Sequence, residues 1–154
     1  MTASAKEAAA GVWRAFASRD PDKIRAVLTE DAAWIAPADN ATQVALGLPA
    51  DMLDSPDGIV AFLVDHFRRL FPDGAQFDFT KVIAEGDTVV FEQRMQASTV
   101  NGRSYDNRYC WIFEMAGARV HRIREYMDTF GGYRMIFGNE APRMLVGQDA
   151  AVKT

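Results

Sequence analysis

The chain has 154 residues, 49% of them hydrophobic and 25% charged, with a formal net charge of -4. That length suits one domain with a sizeable core, and 17 scattered Lys and Arg leave no basic stripe that would mark a nucleic acid partner. One cysteine, Cys110, excludes an internal disulfide and a cysteine-based zinc site, and no apolar run is long enough for a membrane span.

Taken in chain order, Ser4 to Ser18 places Ala8, Val12 and Phe16 at helical spacing and predicts an amphipathic helix. Asp20-Pro21 ends it and caps a short second helix with Ile24, Val27 and Leu28 on its apolar stripe, closed by Glu30-Asp31. Ala32 to Ala36 reads as a short strand carrying Trp34 and stopping at Pro37. Residues 38–54 read as an irregular excursion, either a functional lid or a mobile loop. Ser55-Pro56-Asp57-Gly58 then opens a longer helix, along which Ile59, Phe62, Leu63, His66, Phe67 and Leu70 recur every three or four residues.

From residue 76 to 128 the pattern changes to four consecutive antiparallel strands, separated by turn signals at Glu85-Gly86-Asp87, Asn101-Gly102 and Ala116-Gly117. Val120 and Ile123 are both core candidates of opposite parity, which predicts a bulge near His121 or Arg122. Mid-strand Cys110 reads as a buried, inert thiol. The apolar cluster from Thr129 to Phe137 must be covered, by closing the open end of the sheet or by a second subunit. Residues from Val146 read as a disordered tail. One domain over 1–154 follows, with its core at about 5–137. A curved sheet wrapped over N-terminal helices makes a cone with a pocket inside.

Strand alternation puts Glu92, Arg94 and Gln96 on one face of their strand, and Ile123, Glu125 and Met127 on one face of the last. With both faces inward, a guanidinium and a carboxylate meet in an apolar cavity and handle protons; the alternative is a structural ion-pair network. His66 is a proton shuttle if it points into the cone and a core histidine if it does not. Tyr109, Trp111 and Phe113 share a face. Trp34, Tyr109 and Trp111 can floor a cavity for a flat apolar ligand, with Asn107 and the Tyr109 hydroxyl as polar handles; the alternative is that the stripe is packing or the face by which two sheets pair in a dimer. Two separated histidines make a metal site improbable. Met1 to Ala10 lacks the basic start and apolar core of a signal peptide, so the cytoplasm is the expected compartment.

Three segments carry a resemblance to a known superfamily: residues 18–24 leading to Leu28-Thr29-Glu30-Asp31-Ala32, the strand from Tyr105 to Phe113, and Val120 with Arg124-Glu125-Tyr126-Met127-Asp128. Over residues 5 to 130 the chain resembles the cone-shaped superfamily of nuclear transport factor 2, ketosteroid isomerase and the SnoaL-like polyketide cyclases. The resemblance implies an α+β NTF2-like fold, a small hydrophobic ligand and a homodimer. It also puts Tyr126 and Asp128 in the family's closing motif, structural or catalytic.

Measured against ketosteroid isomerase, the position of the general base holds Ala36, and that of the oxyanion-hole tyrosine falls near Val12. Against limonene epoxide hydrolase, Glu125 and Arg94 fall on an aspartate and arginine of its catalytic array, but Gln96, Trp34 and Ala36 replace the other three groups. The expectation is a cofactor-independent acid-base enzyme that isomerises, dehydrates or cyclises a hydrophobic carbonyl or hydroxyl compound. Its catalytic set would be Arg94, Glu125, His66 and Asp128, with Trp34, Tyr109, Trp111, Asn107 and Tyr126 contacting the ligand. An epoxide hydrolase with a rearranged base and a non-catalytic binding or dimerisation module are the alternatives.

Overall fold

A computed structural model of the chain describes residues 4–138; the expected disordered tail from Val146 lies outside them. Helix α1 (Ala5–Ser18) starts at a capping box in which Ser4 and Glu7 satisfy each other's backbone N–H groups. It stops at Arg19, which adopts the left-handed conformation at φ 57°. Asp20 then accepts the N–H groups of Asp22 and Lys23, and Pro21 sits in the first turn of α2 (Pro21–Ala26).

Strand β1 (Leu28–Ile35) begins four residues earlier than its apolar pattern suggests, so Leu28 belongs to the strand and not to α2. The cause is tertiary. Leu28 pairs with Val120, and the Val120 N–H donates to the Val27 carbonyl at 2.9 Å. The excursion that follows is ordered into α3 (Ala41–Leu46), capped by Asn40, and a 3-10 turn at Met52–Asp54. Helix α4 (Pro56–Ala61) runs without a break through a π turn (Phe62–His66) into α5 (Phe67–Leu70).

Strands β2 (Ala75–Glu85), β3 (Thr88–Ser98), β4 (Ser104–Ala116) and β5 (Arg119–Met127) form the expected antiparallel meander. The sheet order is β1-β5-β4-β3-β2, and β1 pairs with β5 in parallel. The sheet is therefore mixed and open, not wholly antiparallel as the sequence suggested. The β4-β5 register steps from Glu114 opposite Arg122 to Met115 opposite Val120, which leaves His121 as the extra residue of the expected bulge. That extra residue lets Val120 and Ile123 both face the core.

One face of the sheet packs on the helices through a layer rich in aromatic rings. Trp13 of α1 stacks on Phe113 at 5.1 Å and meets Trp111 edge-on at 5.1 Å, and Trp34 of β1 meets Trp111 at 5.3 Å. Cys110, on the opposite face, is half-buried and free, more accessible than its mid-strand position suggested.

Helix α6 (Thr129–Phe137) closes the described chain. Only part of its apolar cluster is covered: Ile136 is buried, while Phe130 and Tyr133 are 54% and 55% exposed. Arg103 holds its far end by donating to the carbonyls of Met135 and Arg134 at 2.8 and 3.0 Å. Among the described residues no helix is long and apolar enough to cross a membrane.

Gly58 reports how tightly the excursion packs on α4. A Cβ there would lie 1.5 Å from the Met52 carbonyl oxygen, a backbone atom that cannot swing aside. Gly58→Ala is expected to cost about 3 kcal/mol or more by separating the 3-10 turn from α4. A urea unfolding midpoint close to that of the unsubstituted protein would show that the two segments are not locked together.

Candidate active site

A cavity of about 380 Å³ lies between the sheet and the helices, toward the small end of the roughly 300–1,000 Å³ typical of ligand pockets. Its walls are mostly apolar and aromatic, with Trp13 and Phe16 from α1, Trp34 from β1, Phe62 and Phe67 from the helical face, and Tyr109 and Trp111 from β4. Arg14, Ala17, Phe77 and Phe79 line it and are exposed, which places the mouth between α1 and β2.

Among the described residues that line the cavity, Glu125 is the only one with a carboxylate side chain. It faces inward because β5 alternates inward from Ile123, and it lies directly across from Trp111 on β4. Parallel pairing sets Trp34 beside Ile123, and from there the Trp34 indole N–H donates to Glu125 Oε1 at 3.0 Å. Removal from water outweighs that single hydrogen bond, so the carboxyl pKa is pushed up from 4.5 to about 8. At neutral pH this group is mainly a carboxylic acid. Once ionised it keeps the Trp34 donor, so one side chain can give and retake a proton.

Tyr109 stands on the same wall, stacked on Trp111. Its hydroxyl lies 2.5 Å from that of Tyr105, which also accepts from the Asn107 amide at 3.1 Å. Burial raises both phenols above their usual range, and charge on Tyr105 and Glu125 raises Tyr109 further. These phenols stay neutral and act as hydrogen-bond partners.

The remaining predicted site residues lie elsewhere. Arg94 is on the outer face of β3, where it forms a bidentate pair with Asp106 at 2.8 and 2.6 Å, so it does not meet Glu125. The reason is parity: Val89, Phe91, Gln93 and Met95 occupy the inner face, which sends Glu92, Arg94 and Gln96 outward. His66 is half-buried outside the cavity, with Nδ1 3.2 Å from Arg69. Asp128 caps α6 by accepting the Gly131 N–H at 2.8 Å. Asn107 is buried beside the cavity, bridging Tyr105 and the Asp128 carbonyl. Tyr126 is 53% exposed on the outer face. Trp34, Tyr109, Trp111 and Glu125 are thus brought together, and the other five are not.

Sequence reasoning missed Trp13, Gln93 and Arg19. Gln93 is 2% exposed, and its Oε1 accepts the Trp111 indole N–H at 3.0 Å. Its signal was available as a polar residue in phase with Phe91 and Met95. Arg19 lines the cavity with its guanidinium 4.6 Å above the Phe67 ring, and donates to the Leu63 carbonyl at 2.6 Å inside the π turn. Burial and the nearby Arg68 lower its pKa. Among the described residues no group of three His, Cys, Asp or Glu is placed to hold a metal ion.

Two consequences can be measured. A carboxyl whose folded pKa of about 8 exceeds the ordinary 4.5 holds its proton more tightly when folded. Its contribution to stability is therefore complete below pH 4.5 and is lost as pH rises to about 8, at a steepest slope of about 1.4 kcal/mol per pH unit. Glu125→Gln is expected to flatten that part of the stability curve, as read by urea unfolding at several pH values; parallel curves for both proteins would contradict the burial. Trp34→Phe removes the donor that favours the ionised form, so the Glu125 carboxyl carbon should titrate at higher pH by NMR. A downward shift or none would exclude the indole as its partner.

The SnoaL-like domain family matches residues 9–126. Among solved structures, an NTF2-like protein of unknown function from Burkholderia pseudomallei gives a TM-score of 0.71 at 20% identity, covering 87% of this chain and 98% of its own. TerC co-crystallised with polyporic acid gives 0.70 at 22% identity, covering 86% of this chain and 97% of its own. A candidate SnoaL-like polyketide cyclase from Jannaschia gives 0.65 at 19% identity, covering 90% and 94%. No functionally curated protein matches the sequence. At these identities the solved structures establish a shared NTF2-like fold, while the domain match spans most of the chain. This protein is a member of the SnoaL-like domain family.

Proposed function

We propose that the protein is a cofactor-independent acid-base enzyme that isomerises, dehydrates or cyclises a small hydrophobic carbonyl or hydroxyl compound, with Glu125 as its proton-transfer group. The observation that carries this reading is one carboxyl, held by one indole N–H, inside an aromatic cavity with no cation paired to it among the described residues. A neighbour of this fold co-crystallised with polyporic acid supports an organic small molecule as occupant.

In this mechanism protonated Glu125 donates to an oxygen of the substrate and becomes a carboxylate, which the Trp34 N–H stabilises. The carboxylate then removes a proton from carbon. For a ketone the result is the enol, which can return as an isomer or attack a second carbonyl in a ring closure. For a β-hydroxy ketone, water leaves with the proton first given, and loss of the C–H forms the double bond. Either way the acid is regenerated, so no external proton donor or oxidant is consumed. The epoxide hydrolase alternative, with its rearranged base, draws less support, because Arg94 pairs with Asp106 on the outer face of β3 and not with Glu125.

The test uses α-tetralone in D2O, following exchange of its α-protons by NMR. Glu125→Gln is expected to lose exchange catalysis by at least about a hundredfold while binding α-tetralone with similar affinity. Tight binding by both proteins with no exchange above the buffer rate would favour the non-catalytic binding module.

A further inference from the structure

The geometry points to a ligand contact that the acid-base chemistry does not use: Arg19 receives a carboxylate, so the cavity takes a hydrophobic carboxylic acid that lies between Arg19 and Glu125. Among the described residues that line the cavity, Arg14 and Arg19 are cations and Glu125 is the one carboxyl. Neither arginine forms a salt bridge among the described residues. Glu125 mainly keeps its proton at neutral pH, with its pKa pushed up to about 8. A chain of net charge -4 therefore surrounds this cavity with charge of the opposite sign.

Arg19 is the better placed of the two cations. Its charged end, and not only its stem, stands at the wall. Nη1 donates to the Leu63 carbonyl at 2.6 Å and the guanidinium carbon lies 4.6 Å from the centre of the Phe67 ring, and Leu63 and Phe67 both line the cavity. The residue is half-buried, so the group is accessible but partly withdrawn from water. Leu63 takes one N–H of the guanidinium fork and leaves the others for a second acceptor. Burial and the nearby Arg68 both disfavour its positive charge, and an anion beside it offsets both. Its backbone adds a second indication. Arg19 ends α1 at φ 57°, where a glycine would sit without strain but would bring no cation to the wall. Arg14, by contrast, is exposed at the mouth, with Nη2 turned back toward Gly11 on the preceding turn.

A planar guanidinium fork matches the edge of a carboxylate with two parallel hydrogen bonds, and a monoanion leaves water for an aromatic cavity at less cost than a phosphate dianion. The wall between Arg19 and Glu125 is a strip of rings. The Trp34 indole that holds the Glu125 carboxyl meets Phe62 edge-on at 5.3 Å, Phe62 meets Phe67 at 6.2 Å, and Arg19 stands over Phe67. A ligand lying on this strip places its apolar body on the rings, its carboxylate at Arg19 and its opposite end at Glu125. The substrate class is therefore an aryl or fused-ring carboxylic acid, with its reacting carbonyl or hydroxyl remote from the carboxylate. Only that last placement rests on the proposed function; the carboxylate contact stands on the geometry of Arg19.

Calorimetric titration with 2-naphthoate and 2-naphthamide, which share a shape and differ in charge, tests the contact without any reaction. The protein is expected to bind 2-naphthoate about fivefold or more tightly, and the preference should shrink as NaCl is raised. By NMR the Arg19 Nε resonance should shift with 2-naphthoate and not with 2-naphthamide. Arg19→Gln, which can still donate to the Leu63 carbonyl, should abolish the preference with 2-naphthamide affinity unchanged. Arg19→Lys, which keeps the charge without the fork, should retain part of it. Equal binding of the two probes, no binding of 2-naphthoate at millimolar concentration, or an equal loss of both in Arg19→Gln would overturn the contact. So would a preference that survives Arg19→Gln and disappears in Arg14→Gln. A 2-naphthoate preference without α-tetralone exchange would sustain the contact and remove the catalytic reading, and exchange without the preference would do the reverse.

Discussion

The cavity depends on the parallel pairing of β1 with β5. A meander of four antiparallel strands could bury one face on α1 and still leave Glu125 at an open edge. Placing β1 beyond β5 makes β5 an interior strand and brings Trp34 to a carboxyl 91 residues away in sequence. The same pairing draws Leu28 out of α2 and sets the length of the excursion that must return to the helical side. From this one contact follow the walls of the site, the burial of its acid and the single donor available to the acid when ionised.

Opposite the sheet, the π turn and Arg19 are coupled. A π turn shifts one hydrogen bond of the helix from the fourth to the fifth residue, and such insertions leave a carbonyl to be satisfied from outside. Here the Phe67 N–H bonds back to the Phe62 carbonyl, and Arg19 reaches over Phe67 to take the Leu63 carbonyl. Arg19 reaches it from a left-handed backbone position that few side chains adopt readily. Strain in the backbone of one segment and a displaced hydrogen bond in another are thus settled against each other at the cavity wall.

Much of this was legible in the sequence, and the failures have specific causes. Glu125 was placed correctly because it keeps step with Ile123, a residue that can only be core. The bulge at His121 was readable from the opposite parity of Val120 and Ile123. Arg94 does not join Glu125 because Val89, Phe91 and Met95 assign the inner face to odd-numbered residues of β3, an alternation legible in the sequence that runs against the expected ion pair. The start of β1 and its direction could not be read locally, since both depend on a partner strand some 90 residues downstream. His66 sits next to apolar residues in sequence, but the π turn rotates the helix away from the 3.6-residue phase on which its inward placement relied.

All three tryptophans of the chain, Trp13, Trp34 and Trp111, line this same cavity. The intrinsic indole emission of this protein therefore arises entirely from its site. Anything that fills the cavity, dries it or ionises Glu125 alters the surroundings of the only strong fluorophores present. The protein carries a built-in optical gauge of occupancy, and compounds can be screened against it without a label and before any reaction has been assigned.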